Sequence, residues 1–138
     1  MRKINHIIIH CSATKEGKEY HAADIRRWHK ARGYTDIGYH YVVDLDGTIE
    51  KGRAVELIGS HVAGRNHDSI GVCYIGGLDA DGKSKDTRTT AQKFALSALL
   101  TQLHARFPKA RISGHNEHAK KACPCFDVAE YRRYFDQV

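Results

Sequence analysis

Between Gly114 and Asp127 the chain reads GHNEHAKKACPCFD, which crowds His115, His118, Lys120, Lys121, Cys123 and Cys125 into one stretch, with Glu117 adding a carboxylate. Imidazole nitrogen and thiolate sulfur are donors that suit zinc better than magnesium or calcium. A zinc ion that does chemistry takes three protein ligands and keeps a fourth position for water. Such ligands can be far apart in sequence, provided that they meet at the ends of neighbouring strands. His10 closes INHIIIH, and His115 follows ARIS after one glycine. Two histidines therefore stand just past the carboxyl ends of two predicted strands. Gly114 lets the backbone bend there, and Pro124 fixes φ between Cys123 and Cys125. The spacing predicts a two-histidine, one-cysteine site of His10, His115 and one of those two cysteines. The rival reading of Cys-Pro-Cys is a redox thiol pair.

Two further groups suit hydrolysis. Lys121 precedes Cys123 by two residues, where an ammonium can hold negative charge developing on a carbonyl oxygen. Tyr39 follows Gly38 in a predicted strand, where its phenol can face a cleft and orient or deprotonate water. By spacing alone Lys121 reads equally as a solvated loop charge and Tyr39 as a half-buried strand aromatic. The other histidines read as structural: His6, His29, His104 and His118 as surface or packing residues, His21 at a helix start, and His40 turned into the core opposite Tyr39. Cys73, inside an apolar strand, reads as a small buried hydrophobe. Cys11 points to the face opposite His10.

The elements that must position these groups follow from periodicity. Residues 4–10 and 69–77 (SIGVCYIGG) are predicted strands, β-branched and mostly apolar. HAADIRRWHKARG, 21–33, is predicted as a helix with Ala22, Ile25, Trp28 and Ala31 or Arg32 on one face and Gly33 as the stop. Residues 38–52 form a predicted hairpin turning at Asp46-Gly47, and 76–88 a loop. A capping box, Thr89-Thr90-Ala91-Gln92, opens the longest helix, 90–106. Its expected stripe is Phe94, Ala95, Ala98, Leu99 and Leu103. ARIS, 110–113, is a short strand, and DVAEYRRYF a closing helix with Asp127 as N-cap. Helices and strands mixed along one chain predict an α/β (α+β) fold with a single central mixed β-sheet flanked by helices.

Length and composition bound the rest. At 138 residues, with 41% apolar and 28% charged residues, the chain is expected to form one domain, 1–138, without disulfide staples. His6 and His10 interrupt the apolar N-terminal run, so no signal peptide is expected, and no membrane span. The expected site of synthesis is the cytosol. A formal net charge of +6 favours acidic partners. A nucleic-acid-binding protein with a structural zinc is not expected, because no Cys-x-x-Cys pair and no aromatic-basic RNA motif is present.

Taken together, IIIHCSAT, DIRRWHKARGYTDIGYHYVVDLDGTIEKGR, GSHVAGRNHDSIGVCYIGG and GHNEHAKKACPCFD resemble the zinc N-acetylmuramoyl-L-alanine amidases. The likeness is strongest to the small phage lysozyme-type members, and the wider family includes the peptidoglycan recognition proteins. It covers roughly residues 4–135 and rests on an ordered set of motifs. The resemblance implies a central mixed sheet with a zinc cleft, zinc ligands at His10, His115 and Cys123, catalytic residues at Tyr39 and Lys121, and a substrate-cleft histidine at His61. It implies hydrolysis of the amide between N-acetylmuramic acid and L-alanine in peptidoglycan, by a phage or prophage endolysin that acts on the wall after release, most simply as a monomer. The alternative is a non-catalytic peptidoglycan-binding module; relatives that only bind typically lack the cysteine ligand, which this chain keeps. Cys125 departs from the small residues common at its position. It is expected either to compete as a ligand or to pair with Cys123 on oxidation.

Overall fold

The run HIIIHC, His6–Cys11, forms the first strand, β1, and lies near the middle of the sheet. The computed structural model describes residues 1–136. The other elements are β2 (Thr14–Lys15), α1 (Ala22–Ala31), β3 (Tyr41–Val43), β4 (Ile49–Lys51), β5 (Ser69–Tyr74), β6 (Gly77–Leu78), α2 (Thr90–Arg106), β7 (Arg111–Gly114) and α3 (Ala129–Asp136). The main sheet has the order β4-β3-β5-β1-β7. β3, β5, β1 and β7 are parallel, and β4 is antiparallel at one edge. The mixed sheet is therefore as expected. β2 and β6 make a small second sheet that was not expected, β6 at the start of the segment predicted as loop.

Although β1 is apolar almost throughout, its side chains still alternate. Ile7, Ile9 and Cys11 join one core cluster with Val72, Tyr74, Leu96, Leu100 and Phe135. The opposite face of the sheet carries a second cluster, in which α1 packs Ala22 and Ile25 on Val42, Cys73 and Ile75. His10 registers with Cys73 and so faces this second side, opposite Cys11, as the period of two requires. The predicted stripe of α1 is corrected at its end. Ala31 and Arg32 are exposed, and His29 takes the buried position one turn after Ile25.

The bounds of α2 and its capping box are as expected: Thr89 Oγ1 accepts the Gln92 N–H at 3.0 Å and Gln92 Oε1 accepts the Thr89 N–H at 2.9 Å. Its buried face is as expected at Leu99 and Leu103, with Ala95 packed against the core, but not at Phe94 and Ala98. Phe94 is 73% exposed and Ala98 is exposed, while Leu96, Leu99, Leu100 and Leu103 are buried. Gln92 sets this rotation. It is fully buried, and its amide donates to the carbonyls of Ile75 at 2.9 Å and Val43 at 3.3 Å. A buried amide must keep such partners, so the helix turns Gln92, Leu96, Leu99 and Leu103 to the sheet and Phe94 outward.

At the other helix start, His21 Nδ1 meets Asp44 Oδ2 at 3.0 Å, and Glu50 Oε2 accepts the Ala22 N–H at 2.8 Å. These contacts pin α1 to the β3–β4 hairpin. Asp127 caps α3 through the Ala129 N–H at 3.0 Å. Among the described residues no helix is long and apolar enough to cross a membrane.

Candidate metal centre and cleft

The site is built where parallel strands end. β7 stops at Gly114, which pairs with Ile9, so His115 overhangs beside His10 with ring centroids 4.6 Å apart. Gly114 is needed for close approach rather than for an unusual bend. Its φ is −101°, yet a Cβ there would stand 2.7 Å from Asn116 Oδ1 and 3.0 Å from Pro124 Cδ. The loop that carries the cysteines thus packs directly on the strand end. The buried Tyr74 hydroxyl fastens it by donating to the Pro124 carbonyl at 2.7 Å. Glu117 serves this scaffold too, accepting the Gly114 N–H at 2.8 Å and pairing with Arg132 at 3.0 Å.

Three donor atoms converge here. Cys123 Sγ accepts the Cys11 N–H at 3.2 Å and lies 3.9 Å from His10 Nδ1. The donor atoms of His10, His115 and Cys123 all lie within 4.8 Å of one another. Tetrahedral zinc, with Zn–N near 2.1 Å and Zn–S near 2.3 Å, puts neighbouring donors about 3.6 Å apart. The set therefore fits zinc after small adjustment. Burial, reinforced by His61, His115, His118 and Lys121, holds His10 well below the usual imidazole range, and burial followed by Lys121 lowers His115. Both are neutral at pH 7, the state in which a ring nitrogen can ligate a metal. Cys125 is outside this donor set; its sulfur contacts Cys11, at 3.8 Å, rather than taking a ligand place.

Behind His10 stands a relay that spacing did not reveal. His10 Nε2 meets His61 Nδ1 at 2.8 Å, and His61 Nε2 meets Ser69 Oγ at 3.0 Å. Burial lowers His61 to about 3, so both rings are neutral. If His10 Nδ1 is to keep its lone pair toward Cys123 and His115, its proton sits on Nε2 and is donated to His61. His61 then donates from Nε2 to Ser69. This is the arrangement by which a hydrogen bond on one ring nitrogen fixes the tautomer of a ligating histidine. Asn66 Oδ1 accepts the N–H groups of His61 and Val62 at 2.8 and 2.9 Å and shapes the loop. Gly71 makes room, since a Cβ there would touch the His61 ring at 2.7 Å. Asn66, five residues after His61 in the GSHVAGRN motif, was the sequence signal available.

Tyr39 lies beside His10, with ring centroids 5.0 Å apart. Burial raises its phenol well above the usual value. His29, read from sequence as ordinary, is buried and accepts the Gly38 N–H at 2.9 Å, which fixes the backbone just before Tyr39. His40 faces away, as expected: its Nδ1 accepts the Gly71 N–H at 3.0 Å.

The cleft over these groups has two arms. A cavity of about 410 Å³ is lined by Trp28, His29, Arg32, Tyr39, His115, Lys121 and Cys123. A second, of about 440 Å³, runs past Val62, Ala63, Asn66 and His118. Both include Tyr34, Ser60, His61, His115 and Lys121, so one member of the donor cluster, His115, and the exposed Lys121 stand where the arms meet, while Cys123 lines the first arm. The structure thus gathers all six residues predicted from sequence, Tyr39, Lys121, His10, His115, Cys123 and His61, around one cleft.

Comparison with known proteins agrees with this geometry. The family described as N-acetylmuramoyl-L-alanine amidase matches residues 1–126. The endolysin of Escherichia phage T7 is 46% identical over 125 residues, covering 91% of this chain and 83% of its own length. The endolysin of Enterobacteria phage K11 is 42% identical over 130 residues, covering 94% and 86%. Among solved structures, the N-acetylmuramoyl-L-alanine amidase LysC from Clostridium intestinale URNW superposes with a TM-score of 0.83 at 26% identity, covering 99% of this chain and 87% of that one. With its strand-end donor cluster and a family match over most of its length, the chain belongs to the N-acetylmuramoyl-L-alanine amidase family.

Proposed function

We propose that the chain hydrolyses the amide joining the lactyl group of N-acetylmuramic acid to L-alanine in peptidoglycan, with zinc held by His10, His115 and Cys123. The observation that carries this reading is the convergence of those three donor atoms within 4.8 Å beside a cleft that His115 and Cys123 line. Zinc, when bound, supplies a Lewis acid for the carbonyl and an activated water.

The protein groups divide the remaining work. Lys121, at the junction of the arms, presents its ammonium to the carbonyl oxygen as negative charge grows there. Tyr39, kept protonated by burial, orients the water and the scissile amide by hydrogen bonding rather than serving as a resting-state base. His61 holds His10 in one tautomer, and in this reading it also contacts substrate, which its lining of both arms supports. The two arms suit a bond cut inside a polymer, with glycan on one side and stem peptide on the other. The net charge of +6 helps to retain the enzyme on an anionic wall.

In this reading the chain is a single catalytic domain acting as a monomer, an endolysin of phage or prophage type that meets its substrate at the wall. A binding-only module would need no complete donor set, and here the set is complete. The test is digestion of purified peptidoglycan with zinc and then with chelator. Zinc-dependent release of L-alanine amino termini supports the proposal. Equal release in chelator, or no release from any wall chemistry, refutes it.

A further inference from the structure

Three of the four cysteines meet at the end of β1, and the fold sorts them. Cys123 turns its sulfur to His10 and to the Cys11 N–H. Cys73 is sealed in the opposite core cluster. Cys11 and Cys125 are left facing each other, Sγ to Sγ at 3.8 Å. Their surroundings are built for that contact. Gly77 packs over the pair, and a Cβ there would stand 2.5 Å from the Cys11 sulfur and 3.7 Å from that of Cys125. Cys125 also holds a left-handed backbone with φ +69°. That conformation favours glycine and disfavours a residue with a Cβ.

We infer that Cys11 and Cys125 are a disulfide-forming pair which closes outside the reducing cytosol and fastens the Cys123 loop to the end of β1. The setting rests on the wall reading above, because the wall polymer lies where disulfides form and persist. The oxidant is a disulfide, small or carried by a protein. The half-buried Cys125 attacks one of its sulfurs and forms a mixed disulfide, releasing one thiol. Cys11 then displaces the second. Two thiols are oxidised, the oxidant is reduced to two thiols, and the two protons pass to the leaving sulfurs. The sulfurs must close from 3.8 Å to about 2 Å, a movement that the irregular loop around Cys125 can absorb. Cys123 is not consumed and stays free to ligate.

The purified, zinc-loaded full chain is incubated with glutathione disulfide and analysed by intact mass, peptide mapping after alkylation, zinc content and thermal midpoint. The expected result is loss of two hydrogens, a Cys11–Cys125 crosslink, full zinc and a midpoint raised by about 10 °C. Cys125→Ser and Cys11→Ala should each keep zinc and lose both crosslink and shift; with two variants, misfolding of one does not decide the matter. A Cys11–Cys123 or Cys123–Cys125 crosslink, a persistent glutathione adduct, unchanged mass in the folded chain, or zinc loss on oxidation would each overturn the inference. None of these readouts is wall hydrolysis, so failure of the disulfide and failure of the amidase reading are told apart.

Discussion

Replacing His61 with alanine tests how the metal site is held. In the folded protein His10 is 1% exposed, and its Nε2 has His61 Nδ1 as partner at 2.8 Å. His61→Ala leaves a buried N–H facing an empty space. The cost to the metal-free fold is that of an unsatisfied buried donor, about 1–3 kcal/mol. The cost to zinc binding is that of a lost orienting partner, roughly 10- to 100-fold in affinity, or about 1.4–2.7 kcal/mol. Ser69→Ala removes only the far end of the relay, the 3.0 Å contact with His61 Nε2, so its effect should be the smaller. Zinc affinity is read by competition with a chromophoric chelator, and metal-free stability by urea unfolding. If His61 served only to contact substrate, KM would rise and zinc affinity would stay within twofold of wild type. That result would refute the relay. So would a Ser69→Ala loss as large as that of His61→Ala.

Other consequences follow from the same geometry. Lys121→Ala should lower kcat by about 100- to 1000-fold with zinc content unchanged, measured on soluble muropeptides; a change in KM alone would contradict the assigned role. Tyr74→Phe removes the donor to the buried Pro124 carbonyl and should cost about 1–3 kcal/mol in urea melts, with zinc affinity falling as the Cys123 loop loosens. Acid should destabilise the metal-free protein through its buried neutral histidines. His40, pushed down to about 4 mainly by burial, stays unprotonated in the fold while the unfolded chain binds a proton below pH 6.5. Stability is therefore full above the unfolded value and is lost as pH falls toward 4; His40 alone removes about 2 kcal/mol between pH 8 and pH 5. Equal or greater stability at pH 5 in urea melts would contradict this.

The parts legible in sequence were those set by short-range rules. The alternation of β1 places His10 and Cys11 on opposite faces even within a run of isoleucines, and the capping box at Thr89 and Gln92 locates the start of α2. The face that α2 buries was legible only in part, at Leu99 and Leu103, because Gln92 fixes it through carbonyls on β3 and just after β5 that no local pattern reveals. The six candidate residues that the fold brings together were named partly from strand-end placement and partly from resemblance. What joins them was hidden, since His10 and His61, or His29 and Gly38, meet only after folding. Cys125 shows the same limit. Sequence proximity suggested Cys123 as its partner or a ligand role, whereas the strand end brings it to Cys11.

The most direct test of the amidase assignment is to digest a defined muramyl peptide in heavy-oxygen water and examine both products by mass. The account predicts a free L-alanine amino terminus and one heavy oxygen on the lactyl carboxylate of the muramic acid, formed only when zinc is present. Heavy oxygen at a new reducing sugar end, or cleavage between amino acids of the stem peptide, would contradict it.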